Sequence, residues 1–258
     1  MPKFAANLSL LYPEFEFLDR FGAAAADGFG AVEFMSPYEY EPEQLADCLH
    51  AHKLTQSLFN LPSGDWAGGE RGIACLPDRK EEFRAGVDRA IAYAKVLDCK
   101  KINCLAGLVP EAADPGELER TLIENLSYAA PRLAAAGVML LLEAVNTRDV
   151  PGFLIPRVSD AVRIIKEVKT ASVRVQYDFY HAQIMQGDLM ETFALHQDVI
   201  GHVQIADNPG RHEPGSGEIN YPFIFSELDR LGYDGFVGCE YKPARATSEG
   251  LDWIKPYL

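Results

Sequence analysis

Positive charge is scarce in this 258-residue chain: 24 Lys and Arg stand against 38 Asp and Glu, a formal net charge of −14 with histidine neutral. A nucleic-acid surface needs a basic stripe that displaces counterions from phosphates, and an anionic membrane surface makes the same demand. The balance argues against both as partners. Cysteine is sparse too. Cys48, Cys75, Cys99, Cys104 and Cys239 are scattered, odd in number and without a C-x-x-C pair. That excludes a disulfide framework or zinc ribbon and fits reduced cytosolic thiols. No apolar run approaches the roughly 18 residues of a membrane span, and the opening Met1-Pro2-Lys3-Phe4 leads into no signal-peptide core. The reading is of a soluble cytoplasmic protein. Walker loops, G-x-S-x-G elbows and G-x-G-x-x-G turns after a strand are missing as well.

What is present is a repeat of short apolar runs, each followed by a longer stretch with helical spacing. Strand candidates lie at 3–9, 31–34, 55–60, 101–106, 138–143, 173–178, 200–205 and 236–240. Amphipathic segments fall at 15–27, 43–52, 80–97, 116–136, 159–169, 189–196 and 221–231, with a last one at 248–254. Alternating β and α units imply parallel strands with right-handed crossovers, and eight of them close more naturally into a (β/α)8 barrel than into an open doubly wound sheet. Prolines and glycines are spread through the connections without a linker, so residues 1–258 read as one α/β domain. The longest connections, 61–78, 144–158 and 207–220, follow strands 3, 5 and 7. They belong to the face where such barrels place their chemistry.

The informative feature is how the last four strands finish: Glu143, Asp178, Gln204 and Glu240 stand at or near their C-terminal ends. One acid at a strand end is an ordinary loop or cap residue. Several acids converging over one barrel mouth repel each other and resist desolvation unless a cation neutralises them. An all-oxygen set suits Mg²⁺ or Mn²⁺ better than Zn²⁺. His181, three residues after Asp178 and read as loop, can polarise a substrate oxygen or simply cap a helix. His202 shares a strand face with Gln204 and reads as a satisfied core histidine, while His50, His52 and His196 sit in helical segments. Arg211, in the glycine-rich connection after strand 7, either grips an anionic substrate or ties the loop to Glu213 or Glu218. Lys242 and Arg71 are weaker candidates for the same grip. Asn220, ahead of Tyr221-Pro222, reads as a helix N-cap.

Longer segments carry a resemblance. Phe4-Ala5-Ala6-Asn7-Leu8-Ser9, Val32-Glu33-Phe34, the stretch 60–75 (NLPSGDWAGGERGIAC), Gln176-Tyr177-Asp178, His202-Val203-Gln204-Ile205-Ala206-Asp207-Asn208-Pro209, Gly217-Glu218-Ile219-Asn220-Tyr221 and Gly238-Cys239-Glu240-Tyr241-Lys242-Pro243 are similar, over essentially the whole chain, to the hydroxypyruvate isomerase family of xylose-isomerase-like barrels. The resemblance implies a (β/α)8 fold and interconversion of hydroxypyruvate with 2-hydroxy-3-oxopropanoate. It implies Glu143 and Glu240 as the proton-transferring pair, and Glu143, Asp178, Gln204 and Glu240 as ligands of a divalent metal. His181 and Arg211 match substrate contacts, with Glu70 and Lys242 added to the substrate-binding set and Trp66 in a lid. The partner is then a small 2-oxo-3-hydroxy acid, and homo-oligomerisation stays open. Two rivals are isomerisation or epimerisation of 2-oxo-tetronate or a ketose, and a non-catalytic sugar-binding barrel. A zinc nuclease is disfavoured, because Asn60 and Ala106-Gly107 stand where such relatives place histidines.

Overall fold

The computed structural model describes residues 1–257. Eight strands, β1 (Lys3–Asn7), β2 (Ala31–Glu33), β3 (Thr55–Asn60), β4 (Lys101–Cys104), β5 (Met139–Glu143), β6 (Val173–Asp178), β7 (Ile200–Ile205) and β8 (Phe236–Cys239), pair in chain order. All are parallel, and β8 returns to β1 through Lys3 opposite Phe236 and Ala5 opposite Gly238. The sheet is therefore a closed barrel and the open doubly wound arrangement is excluded. Around it run α1 (Arg20–Ala26), α2 (Pro42–His52), α3 (Lys80–Val96), α4 (Pro115–Ala135), α5 (Val158–Val168), α6 (Phe179–Met185), α7 (Leu189–His196) and α8 (Tyr221–Arg230).

The helices are held by their apolar stripes. In α5 the buried set Val158, Ala161, Val162, Ile165 and Val168 recurs at three- and four-residue spacing and faces the barrel. Each valine or isoleucine of this set contributes roughly 1.5–3 kcal/mol of burial. On the strands the alternation sorts apolar from polar: Val173, Val175 and Tyr177 face the helices, while Gln176 and Asp178 face the axis. The expected cap is in place, Asn220 Oδ1 accepting from the Phe223 N–H at 3.3 Å.

Three local expectations are corrected. The segment from residue 15 does not begin as a helix: Glu16 is extended, a 3-10 turn spans Phe17–Asp19, and α1 starts at Arg20. The last helical segment is a 3-10 run, Thr247–Trp253, with Gly250 in its interior weakening any α-helical preference. His181 does not lie in a loop, because Asp178 ends β6 and at once caps α6, accepting from the Tyr180 N–H at 2.7 Å. Among the described residues no helix is long and apolar enough to cross a membrane.

Candidate active site

Strand register brings the acids together. Glu143 on β5 lies opposite Gln176 on β6, and Asp178, two residues on, faces the same interior and lies opposite Gln204 on β7. Glu240 stands one residue beyond β8, its N–H donating to the Ile205 carbonyl at 3.1 Å. All three carboxyls are buried. Below them the barrel is filled with polar groups instead of the usual branched apolar layer. Glu33 of β2 accepts from Gln204 Nε2 at 2.7 Å and Asn7 Nδ2 at 3.1 Å, and its other oxygen lies 2.8 Å from His202 Nε2. Gly238 makes room for it, since a Cβ there would sit 2.3 Å from Glu33 Oε1. His202 is thus a core residue, as read from sequence, although its Nδ1 has no hydrogen-bond partner among the described residues. Asn103 of β4 donates to Glu143 Oε2 at 2.9 Å from the side.

The chemistry of this donor set fits a divalent cation. Asp178 Oδ1 is taken by the α6 cap, yet its buried Oδ2 has no hydrogen-bond partner among the described residues, the condition in which an ion or water is called for. Carboxylate oxygens of Glu143 and Asp178 lie within 4.8 Å of each other and of a ring nitrogen of His181. Burial, then the neighbouring Glu240 and Asp178 charges, push the Glu143 carboxyl well above the usual carboxylate range. Glu240 and Asp178 are pushed up as well, by burial first, with the Arg211 guanidinium pulling both back. Three acids facing one guanidinium cannot all ionise cheaply, and a divalent charge is what would let them. Gln204 lies beside this group, its Oε1 accepting from Gln176 Nε2 at 2.6 Å, with a second lone pair still available.

The other candidates are placed unequally. His181 is buried, with Nε2 3.6 Å from Asp178 Oδ2 and 3.8 Å from Glu143 Oε1. Burial, then Arg211, hold its pKa well below that of a free imidazole. Arg211 is tied neither to Glu213 nor to Glu218: its Nη2 pairs with Glu240 Oε1 at 2.7 Å, and its guanidinium lies 5.2 Å from the Tyr180 ring centre. Its loop is organised by buried Asp207, whose carboxylate accepts from the N–H groups of Asn208, Gly215, Gly217 and Ile219 at 2.8–3.0 Å. Lys242 contributes backbone only, donating its N–H to the Arg211 carbonyl at 2.7 Å while its side chain is exposed. Glu70 turns away, pairing with Arg79 at 2.6 Å and accepting from the Asp65 N–H. Trp66 is exposed on the same loop, with the Arg71 guanidinium 4.0 Å from its ring centre.

Sequence reasoning missed Asn103, Glu33, Asn146, Asp149 and Tyr180. The first two were findable by period two, as inward partners of strand-interior positions. Asn146 and Asp149 carry an Asn-x-x-Asp signal of an Asx turn just past a strand-end acid, with the Asp149 N–H donating to Asn146 Oδ1 at 2.8 Å.

Comparison with known proteins agrees with this architecture. The family model described as xylose isomerase-like TIM barrel matches residues 21–257. The chain is 53% identical over 260 residues to a 2-oxo-tetronate isomerase of Cupriavidus necator, covering 100% of this chain and 99% of that one. It is 50% identical over 257 residues to the hydroxypyruvate isomerase of Escherichia coli, with 100% of both covered. A crystal structure from Brucella melitensis titled AP endonuclease, family 2, superimposes with a TM-score of 0.98 at 49% identity over 100% of this chain and 99% of that one. A closed eight-stranded parallel barrel, acids gathered at the ends of β5, β6 and β8, and a family match over nearly the whole length lead to one conclusion: the chain belongs to the xylose isomerase-like TIM barrel family.

Proposed function

We propose that this protein is an isomerase that interconverts hydroxypyruvate and 2-hydroxy-3-oxopropanoate by moving a proton between adjacent carbons through an enediolate. The observation that carries the reading is the pair Glu143 and Glu240, two buried carboxyls at the ends of β5 and β8 over one barrel mouth. The relatives named hydroxypyruvate isomerase and 2-oxo-tetronate isomerase, 50% and 53% identical over the full length of this chain, support it.

The substrate dictates what the side chains must do. In a 2-oxo-3-hydroxy acid the C3 proton is acidified by the C2 carbonyl. Its removal leaves charge on the C2 oxygen, and reprotonation at C2, with one proton passing from O3 to O2, gives the aldehyde. Glu143 and Glu240 are the proton acceptor and donor at carbon, two carboxyls whose proton affinity burial raises. His181 faces the same space through Nε2 and donates a hydrogen bond to the C2 oxygen as charge builds there. Arg211, already leaning on Glu240, offers its remaining N–H groups to the substrate carboxylate. Glu143, Asp178, Gln204 and Glu240 would hold a divalent ion, Mg²⁺ or Mn²⁺. When bound, it would stabilise negative charge on the two substrate oxygens. The connection bearing Trp66 serves as the lid that keeps water from the enediolate.

A four-carbon substrate is the second reading, favoured by the relative named 2-oxo-tetronate isomerase. Proton NMR of the protein with hydroxypyruvate and with 2-oxo-tetronate, each with Mg²⁺ or Mn²⁺, decides between them by kcat/KM. A larger value for hydroxypyruvate supports the three-carbon reading, and the reverse order replaces it.

A further inference from the structure

We propose that Asn146 is a positioning residue that holds His181 in the tautomer with its hydrogen on Nε2, so that the ring presents an N–H donor, and not a lone pair, to the space between Glu143 and Asp178. The inference rests on the isomerase reading above and names the side chain that prepares its oxygen-facing donor.

The argument is one of hydrogen-bond accounting. Asn146 is buried, so its amide has no water to fall back on. Its Oδ1 accepts from the Asp149 N–H at 2.8 Å, and its Nδ2 donates to Asp149 Oδ2 at 3.2 Å. Turning the amide over would set its oxygen against that carboxylate and its NH₂ against that N–H, two like-with-like contacts. The orientation is therefore fixed by Asp149. Asp149 is in turn braced by the Tyr180 hydroxyl, which donates to the same Oδ2 at 2.8 Å.

The amide nitrogen has a second hydrogen, and His181 Nδ1 lies 2.6 Å from it. A ring nitrogen facing an NH₂ group at that distance must be the acceptor, because a hydrogen on Nδ1 would oppose the one on Nδ2. The hydrogen of the imidazole then lies on Nε2, the atom that looks toward Asp178 Oδ2 at 3.6 Å and Glu143 Oε1 at 3.8 Å. Both separations are too long for a direct hydrogen bond. The donor is left for an oxygen that enters between the two carboxyls, which is where a substrate carbonyl would sit. A cation in this cluster would meet carboxylate oxygens on one side and an N–H on the other, so His181 serves the substrate while Glu143 and Asp178 serve the cation. A tautomer set by a neighbour is known to control catalysis by histidine strongly.

The test is a two-bond ¹H–¹⁵N correlation spectrum of ¹⁵N-histidine-labelled protein without substrate, with the His181 signals assigned by their loss in His181→Gln. In the unmutated protein Nε2 is expected to carry the hydrogen and Nδ1 to be the acceptor nitrogen. Asn146→Asp puts an oxygen where the NH₂ stands and should draw a hydrogen onto Nδ1, with kcat for hydroxypyruvate falling about 10–100-fold and KM changing less. A hydrogen on Nδ1 in the unmutated protein overturns the proposal, even if the variant does not fold. So does a His181 spectrum unchanged in Asn146→Asp, or full turnover in that variant once the hydrogen has moved. The spectrum is read without turnover, so its outcome is separate from that of the isomerase reading, which product formation decides.

Discussion

Arg211 and Glu240 form an ion pair 2.7 Å long over the barrel mouth, with both side chains largely screened from solvent. The guanidinium eases ionisation of a buried acid, and under the proposed function its remaining donors are left for the substrate carboxylate.

Removing that guanidinium should be costly in a way that depends on substrate charge. For Arg211→Ala, kcat/KM for hydroxypyruvate should fall by one or more orders of magnitude, since truncating a buried charged contact typically costs about 2–5 kcal/mol. A neutral ketose, if turned over, should lose less. The pH profile should also move upward, because Arg211 pulls the Glu240 carboxyl down and its loss makes that acid harder to ionise. Equal losses on charged and neutral substrates, with no change in profile, would mean that Arg211 only holds its loop.

Glu143→Gln and Glu240→Gln should each reduce turnover by at least about 10²-fold, the lower end of what positioned proton transfer supplies. The fold should persist, because the amide keeps the volume. Circular dichroism and thermal melting check the fold, and initial rates check the chemistry. More than about a hundredth of normal activity in either variant would remove that residue from the proton-transfer pair.

Stability should depend on pH and on divalent ions together. The native carboxyls of Glu143, Asp178 and Glu240 bind protons more tightly than in the unfolded chain. Between the unfolded values near about 4 and the raised native values, about 8 for Glu240, the native state keeps protons that the unfolded state has released. Their contribution is therefore fully present at low pH and is lost as pH rises through this window. The melting temperature of metal-free protein should drop relative to that with millimolar Mg²⁺ or Mn²⁺ as pH goes from 5 to 8, because cation binding needs the ionised acids. A gap that is zero or constant across the range would count against the cation.

Asp207 should prove to be a structural hub of the loop after β7. Its carboxylate satisfies four backbone N–H groups of the loop that bears Arg211. Asp207→Ala should destabilise the protein by about 3 kcal/mol, since each buried donor left unpaired costs roughly 1–3 kcal/mol before water rescues some of them. Urea denaturation measures this, and a change within about 0.5 kcal/mol, as at an ordinary surface site, would contradict it.

Much of the architecture was legible because barrel strands bury both faces and announce themselves as short apolar runs. Met139–Glu143 and Val173–Asp178 end on acids that face one interior, Asp178 standing two residues beyond the Gln176 that lies opposite Glu143. Helix starts were harder: Asp178 is at once the end of β6, the cap of α6 and a site acid. Read for one role, it hid the helix that carries His181. Long-range polar contacts were out of reach in another way. Nothing local to Glu33 says that it meets His202 across 169 positions, and only closure of the barrel brings them within 2.8 Å. Glu70, read as substrate-facing, is turned to Arg79 nine residues later, the kind of choice between partners that local sequence does not encode.

The central claim is proton transfer at the carbons of a 2-oxo-3-hydroxy acid, and proton NMR of hydroxypyruvate in deuterium oxide tests it most directly. With the protein and Mg²⁺ or Mn²⁺ present, signals of 2-hydroxy-3-oxopropanoate should appear, solvent deuterium should enter at the exchanging carbons, and Glu143→Gln should abolish both changes. Hydroxypyruvate that stays unaltered in both structure and isotope content, under conditions where the protein is folded and cation-loaded, would contradict the account.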